Sequence, residues 1–256
     1  MTLYPASALR TVALHTQGLL TANGAEPDPT PDRIFQTIDN LGCIQIDTLQ
    51  VVHRSQNLVL WSRLGSYEPG DLDSLQAGTS RRLFEGWQHA ACIIPLTEYR
   101  FQMPRQRSFR EDPTNWYSRW LRERGLPNEI EKVRERIQRE GALKTKDFER
   151  GDHPGGAWWN WRPAKVALET LYAFGELNIA GRVNFQRIYD LTERLLPEWV
   201  DLSEPSSEER DRFWVERGAK ALGVCMPRHA GDYTWMKVTK SRPIINGLIK
   251  DGRLWR

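Results

Sequence analysis

Two polar residues whose spacing could support chemistry, Gln45 and Asp47, lie inside an apolar stretch at residues 43–47. If this stretch is a strand, side-chain alternation puts Gln45 and Asp47 on one face and Ile44 and Ile46 on the other. Keeping a carboxylate on such a strand is costly unless something balances its charge. The Gln45 amide both donates and accepts hydrogen bonds, so it can hold a water molecule. The neighbouring carboxylate can stabilise a developing positive charge. The pair is therefore a candidate catalytic site.

On the residues alone, a structural explanation of the same pair is the favoured one. Asp47 precedes a stretch that we expect to be helical from about Leu49 to Leu64. An aspartate just before a helix commonly caps it, and Gln45 would then make a routine hydrogen bond. The catalytic and the structural roles do not exclude each other.

The elements that position the pair are predicted from local signals. Thr30 and Pro31 are suited to the start of a helix, and Gly42 to its end just before the strand. Residues 81–95, RRLFEGWQHAACIIP, are expected to form an extended segment that closes this first unit.

The order helix, short helix, longer helix and β-ribbon recurs in two later parts of the chain. It is the order of a winged helix, a helix-turn-helix variant with an added ribbon. We therefore predict a mainly α fold with small β-ribbons, built from tandem winged-helix (helix-turn-helix) units. The predicted domains are a first unit with the catalytic motif at residues 1–110, a second at 111–200, and a third at 201–256 that ends one strand into its ribbon.

The composition is that of an ordinary soluble globular protein, with 256 residues, 39% of them hydrophobic and 27% charged. No signal pattern and no apolar run of membrane-spanning length occurs, so we expect a cytoplasmic protein with no membrane partner. Cys43, Cys92 and Cys225 are unevenly spaced without a CxxC motif, which argues against a disulfide framework or a zinc site. We expect no metal and no cofactor, and neither GxxxxGK[ST] nor GxGxxG is present.

The charge is distributed unevenly although the net charge is only +3. Residues 1–99 carry a net charge of −4 and residues 100–256 a net charge of +7. Such an asymmetry favours a polyanionic partner for the later part of the chain, with ordinary solvated faces as the alternative.

Three long motifs in order carry a resemblance to a known family. QIDTLQVVHRSQNLVLWSRLG (45–65), RRLFEGWQHAACIIP (81–95) and ALETLYAFGELNIAGRVNFQRIYDLTERLLP (167–197) resemble the winged-helix DNA glycosylases of the AlkZ and AlkX (YcaQ-like) type. The resemblance implies tandem winged helices followed by a C-terminal β domain, which has no counterpart in these 256 residues. The family motif is glutamine, an apolar residue, then glutamine or aspartate, so Gln45-Ile46-Asp47 is similar to the AlkX version.

The resemblance also implies an activity. Members of this family hydrolyse the N-glycosidic bond of alkylated purines, including N7-linked guanines in interstrand crosslinks. The expected partner is double-stranded DNA that carries alkylated purines, bound by a monomer in the bacterial cytoplasm and at the nucleoid. The expected roles are a carboxylate at Asp47 that stabilises the sugar cation or activates water, and an amide at Gln45 that holds the water or the sugar-phosphate.

The reaction is predicted to be purely hydrolytic. Glycosylases that also cut the strand usually form a Schiff base through an amine. The chain has no lysine before Lys132, so the unit that carries Gln45 and Asp47 has none to supply that amine. We expect a monofunctional DNA glycosylase.

Basic residues in several places are predicted to bind DNA. Residues 100–110 hold four arginines and no acid, with a solvated connector as the alternative. His89 could face the DNA or the reacting sugar, or be a structural histidine, and Arg54 could bind a phosphate or pair with Asp47. The full set of predicted DNA contacts is Arg54, His89, Arg100, Arg105, Arg107, Arg110, Arg162, Lys165, Arg228, Lys237, Lys240 and Arg242.

A second class of function competes with the enzyme. A non-enzymatic winged-helix DNA-binding protein, such as a transcription regulator, has the same predicted fold and the same basic surfaces. The two classes differ in the role of Asp47, which only the enzyme needs for releasing a base.

Overall fold

The computed structural model describes residues 3–20, 29–112, 114–123, 126–148 and 163–255, and every structural statement refers to these ranges. They contain α-helices, small antiparallel strands and three short 3₁₀ helices. The α-helices are α1 Ala6–Thr16, α2 Pro31–Leu41, α3 Ser55–Leu64, α4 Pro69–Ser74, α5 Met103–Glu111, α6 Trp116–Glu123, α7 Pro127–Glu140, α8 Pro163–Ala173, α9 Thr192–Leu195, α10 Ser207–Leu222, α11 Pro227–Asp232 and α12 Val238–Lys250. The strands are β1 Ile44–Gln45, β2 Leu83–Trp87, β3 Ala91–Pro95, β4 Leu143–Lys144, β5 Leu177–Val183 and β6 Gln186–Leu191. The 3₁₀ helices are Gly78–Ser80, Leu96–Phe101 and Thr145–Phe148.

The strands form two small sheets with the same topology. Their orders are β1-β3-β2 and β4-β6-β5, all antiparallel, and each contains a hairpin whose second strand also pairs with a short earlier strand. In both sheets, an α-helix comes just before the short strand, and helical segments lie between the short strand and the hairpin. The predicted mainly α fold with small β-ribbons is confirmed. The description of these parts as winged-helix units, and the boundaries at 110 and 200, stay predictions.

The first unit begins with the helix that the sequence predicts. The Thr30 hydroxyl accepts a hydrogen bond from the Arg33 amide, Pro31 occupies the first turn, and Gly42 ends the helix at φ +84°. α2 buries Ile34 and Ile38 in an apolar core that also contains Leu60 of α3. The chain then passes directly from Gly42 into β1.

Residues 81–95 form a hairpin rather than a single extended segment, with a turn between β2 and β3. β1 pairs with β3, with Ile44 opposite Ile93 and Gln45 opposite Cys92. Ile44 and Ile93 pack with α2 and α3 in one core, and Cys92 belongs to a second core on the other side of the sheet. The sheet therefore separates two apolar clusters, and both hold its strands in register.

The second unit has its own core and a two-residue hairpin turn. Asn184 and Phe185 form this turn with positive φ angles of 48° and 65°. Two consecutive residues with positive φ form the type of two-residue turn whose twist matches that of the strands. Gly181 lies at the bulge in β5, where the register with β6 shifts.

The predicted ribbon of the third unit is wrong for the described residues. α10, α11 and α12 occur as expected, and the Ser206 hydroxyl caps α10 by accepting from the Glu209 amide at 3.1 Å. After α12 the amides of Arg253 and Leu254 donate to the Leu248 carbonyl at 2.9 and 3.1 Å. These bonds curl the chain back over the helix end, so no strand forms there.

A buried charge network joins the first sheet to the second. The Glu85 carboxylate on β2 is buried and accepts two hydrogen bonds from Arg182 on β5, at 2.5 and 2.8 Å. Arg187 on β6 also pairs with it at 3.3 Å and reaches Glu169 on α8 at 3.0 Å. The Tyr172 hydroxyl donates to the Glu85 carbonyl at 2.9 Å.

A second buried pair joins the third unit to the first. Arg217 on α10 places Nε 2.6 Å from Oε1 of Glu98, and both side chains are buried. Arg217 also donates to the Asp39 carbonyl, and the Tyr233 hydroxyl donates to the Leu41 carbonyl, both at the end of α2. Burial raises the pKa of Glu98 to about 7, although the Arg217 charge opposes the shift.

No helix in the described ranges is both long enough and apolar enough to cross a lipid bilayer.

The raised pKa of Glu98 predicts a pH-dependent stability. Between its usual value of 4.5 and about 7, the folded protein keeps a proton that the unfolded chain has lost. The free energy of unfolding therefore falls as pH rises through this window, by about 3 kcal/mol from this group. Urea unfolding across the window should show this decline in the wild type and lose it in Glu98→Gln. Glu135→Gln, at an exposed position on α7, should keep it, and equal pH slopes in the wild type and Glu98→Gln would contradict the assignment.

Candidate active site

Gln45 and Asp47 lie at the end of the first strand of the first sheet. Gln45 is exposed, while Ile44 is buried and Ile46 packs partly against the same core. The Ile46 amide donates to the Ala91 carbonyl at 2.8 Å, so the pairing continues one residue beyond β1. Gln45 is thus exposed and Asp47 half-buried, and the expectation that both lie on one face stays a prediction.

Asp47 is held by backbone contacts rather than by a cation. Its Oδ1 accepts a hydrogen bond from the Leu49 amide at 2.9 Å, and its own amide donates to Gln56 Oε1 at 3.3 Å. The Ser55 hydroxyl donates to the Gln45 carbonyl at 3.2 Å. Within the described ranges Oδ2 of Asp47 has no hydrogen bond and no ion pair. One carboxylate oxygen is thus fixed and the other remains available.

The expected helix from Leu49 is wrong at its start, because α3 begins at Ser55. Asp47 therefore closes a local turn instead of capping a helix. The turn leads into a loop, residues 48–54, that exposes three apolar side chains, with exposed fractions of 72% for Leu49, 95% for Val51 and 82% for Val52. This apolar loop follows the candidate pair directly and was missed by the sequence analysis. The adjacent Val51 and Val52 are poor helix formers, and they were the sequence signal against a helix in this segment.

Arg54 connects this loop to the second unit. Its guanidinium lies 3.5 Å from the centre of the Phe185 ring at the tip of the β5–β6 hairpin. The predicted pairing of Arg54 with Asp47 does not occur in the part of the chain that the structure describes. Its Nε is buried and lacks a hydrogen-bond partner among those residues.

His89 lies in the turn between β2 and β3 and is grouped with two cysteines. The Cys43 and Cys92 sulfur atoms and a His89 ring nitrogen all lie within 4.8 Å of one another. Cys92 is buried, and the other two residues are half-buried. Irregular spacing along the chain therefore did not prevent two of the three cysteines from meeting, against the expectation from the sequence.

Two arginines of the basic segment at residues 100–110 form ion pairs with acids of the same chain. Arg100 pairs with Asp201 and Glu209 at 3.2 and 2.5 Å, and Arg107 pairs with Glu204 at 2.8 Å. These acids lie about a hundred positions further along the chain, so the sequence pattern of the segment could not reveal them. Arg100 and Arg107 thus pair with acids in α10 and in the segment just before it, and their role as DNA contacts stays a prediction.

The other two arginines of this segment are exposed. Arg105 lies over the rings of Trp87 and Phe109, and Arg110 pairs with its neighbour Glu111 at 3.0 Å. A pair between adjacent exposed residues is weak, so both guanidinium groups remain candidates for phosphate contact.

The remaining predicted DNA contacts are on the second and third units. Lys165 is exposed on the first turn of α8, and Arg162 lies outside the described residues. Lys240 pairs with Asp211 at 2.6 Å. Arg228, Lys237 and Arg242, near α11 and α12, are exposed.

The candidate pair lies outside a cavity that is bordered by the first two units. That cavity, of about 560 Å³, is lined by residues of the first two units and by the segment before α10, among them Tyr99, Arg134 and Glu176. Gln45 and Asp47 are absent from the lining of this cavity.

Comparison with known proteins agrees with this architecture. The solved structure of Streptomyces sahachiroi DNA glycosylase AlkZ is similar over 96% of this chain, with a TM-score of 0.60 and 12% sequence identity. This chain spans 66% of that protein, just under two thirds of its length, and at this identity the likeness concerns the fold. A family model described as DNA glycosylase AlkZ-like matches residues 38–256, a range that includes Gln45 and Asp47. The chain belongs to the AlkZ-like family of DNA glycosylases.

Proposed function

We propose that this protein hydrolyses the N-glycosidic bond of alkylated purines in double-stranded DNA, with N7-alkylguanine, including its interstrand crosslinks, as the substrate. The observation that carries the proposal is the position of Gln45 on the edge strand of the first sheet and of Asp47 just beyond it, with Gln45 exposed and Asp47 half-buried. A carboxylate with one oxygen fixed, and with no cation paired to it among the described residues, can interact with a cationic substrate.

The chemistry needs little from a general acid. N7-alkylguanine is already cationic and leaves readily, so the barrier lies in the sugar, which becomes oxocarbenium-like as the bond breaks. Asp47 stabilises this positive charge or takes a proton from the attacking water. Gln45 holds the water or the sugar-phosphate with its amide, which both donates and accepts.

The geometry of Asp47 suits this role. The Leu49 amide holds Oδ1, so the carboxylate is oriented before substrate arrives and Oδ2 points to no protein partner within the described residues. A preorganised charge needs no rearrangement at the moment of reaction, which is the main source of electrostatic catalysis.

A site outside the cavity also fits a crosslinked base. A purine tied to both strands cannot be swung fully into a deep pocket. Gln45 and Asp47 lie outside the 560 Å³ cavity, so the lesion would be met within the duplex groove.

The exposed apolar side chains of the loop at residues 48–54 could insert into that groove. Leu49, Val51 and Val52 are exposed next to the candidate pair, where water is a poor environment for them. Apolar side chains inserted between base steps partly unstack and bend a duplex. We assign this role to the loop, since it would bring the sugar of the lesion to Asp47.

Removing the charge of Asp47 should abolish base release and leave DNA binding intact. Asp47→Asn keeps an oxygen that can accept from the Leu49 amide, so the turn should survive. Single-turnover release of 7-methylguanine from duplex DNA should fall by at least about a hundredfold, as expected for loss of a catalytic group. Alkaline cleavage at the abasic product measures this, with Glu68→Gln as an exposed control in the same unit.

The same assay separates the enzyme from the regulator. A non-enzymatic DNA-binding protein would release no base from methylated or nitrogen-mustard-crosslinked duplexes in its wild-type form. Normal release by Asp47→Asn would instead show that another group performs the reaction.

The reaction should leave no covalent intermediate. Because the first unit has no lysine, borohydride added during turnover should trap no protein–DNA adduct. Denaturing gel electrophoresis of labelled DNA detects such an adduct, and a strand-cleaving glycosylase run in parallel verifies the trapping. A trapped band that requires the lesion would refute the monofunctional mechanism.

Polar substitutions in the apolar loop should weaken the complex with damaged duplex. Each valine side chain contributes about 1.5 kcal/mol when buried, so Val51→Ser with Val52→Ser should lower affinity by at least about tenfold. Fluorescence anisotropy measures the affinity, and Leu202→Ser is a control at another exposed apolar position. Unchanged affinity in the double variant would exclude insertion of the loop.

A further inference from the structure

We propose that Cys43, His89 and Cys92 form a binding site for one thiophilic divalent cation of the zinc class, at the sheet that carries Gln45. The site is independent of the proposed base-releasing activity, because it rests on a separate set of side chains. It was not expected from the spacing of the cysteines.

The fold brings the three ligands together from two directions. Cys43 immediately precedes β1, and Cys92 lies on β3 opposite Gln45. Alternation along paired strands places Cys43 and Cys92 on the same face of the sheet. His89 lies three residues before Cys92, in the turn between β2 and β3.

The distances suit a tetrahedral ion. Zinc bonds of about 2.3 Å to sulfur and about 2.0 Å to nitrogen separate ligand atoms by roughly 3.5–3.8 Å. The three ligand atoms already lie within 4.8 Å of one another, so shifts on the order of 1 Å complete the site. Two thiolates and an imidazole are a donor set that zinc accepts, with a water molecule in the fourth position.

Metal binding replaces the thiol protons and involves no redox change. A cation that binds both sulfurs as thiolates and the imidazole in its neutral form releases one proton from each thiol to solvent. Ala90 and Gln88 contribute backbone hydrogen bonds to Cys92. The backbone donors around Cys92 are the kind of outer contacts that orient a metal-bound thiolate.

The histidine favours a metal over a disulfide. Two neighbouring cysteines alone would also fit a disulfide, but a third soft ligand at the same distance has no role in that bond. Cys43 and His89 are half-buried, so an ion can enter from solvent. Bound metal would fasten the start of β1 to the β2–β3 hairpin and thereby position Gln45.

The experiment uses the purified full chain, kept reduced with a phosphine and freed of metal by chelator. Zinc is titrated in competition with a chromophoric chelator, and bound metal is counted by mass spectrometry. We expect one zinc per chain, and a loss of affinity of at least about a hundredfold in each of Cys43→Ser, His89→Gln and Cys92→Ser. Cys225→Ser is the matched control, because that cysteine lies outside the group and should leave binding unchanged.

Cobalt supplies a second readout that does not depend on activity. Co²⁺ should give a thiolate-to-metal charge-transfer band and the visible absorption of a tetrahedral ion, and both should vanish in the single variants. Circular dichroism of each variant separates loss of binding from loss of folding. Absence of tight zinc binding, or binding that survives the Cys43→Ser, Cys92→Ser double substitution, would overturn the site.

Discussion

The carboxylate of Glu85 lies buried in the first sheet, where its charge is balanced by Arg182 and Arg187 from the second hairpin. An unpaired charge at such a depth would cost several kcal/mol, so the two sheets must stay in contact while the carboxylate remains ionised. Arg187 and Glu169 extend the pairing to α8. This network fixes the second unit against the sheet that carries Gln45 and Asp47.

The contact between the two sheets also determines which residues lie near Gln45 and Asp47. Once the second hairpin is held by Glu85, its tip brings Phe185 under the guanidinium of Arg54. Arg54 immediately precedes α3, and the start of α3 holds the strand exit through Ser55 and Gln56. A chain of contacts thus runs from the buried carboxylate to the backbone around Asp47. The apolar side chains of the loop between them are exposed.

The cations of this protein serve two different purposes, which the net charge does not distinguish. Arg182, Arg187 and Arg217 are largely buried and balance acids of other units. Lys237 and Arg242 on the third unit are exposed to solvent. Only cations of the second kind can release counterions from a nucleic acid, so the basic excess of residues 100–256 overstates the surface available for phosphate.

The sequence by itself determined the features that depend on near neighbours. Thr30, Pro31 and Gly42 bound a helix through capping and backbone preference, and the alternation at residues 44–47 distinguished the packed Ile44 from the exposed Gln45. Only the tertiary structure decided that α3 starts at Ser55, that Arg100 pairs with acids a hundred residues away, and that Cys43, His89 and Cys92 meet. Caps and alternation act over a few residues, whereas ion pairs and ligand clusters depend on the path of the whole chain, which no local pattern encodes.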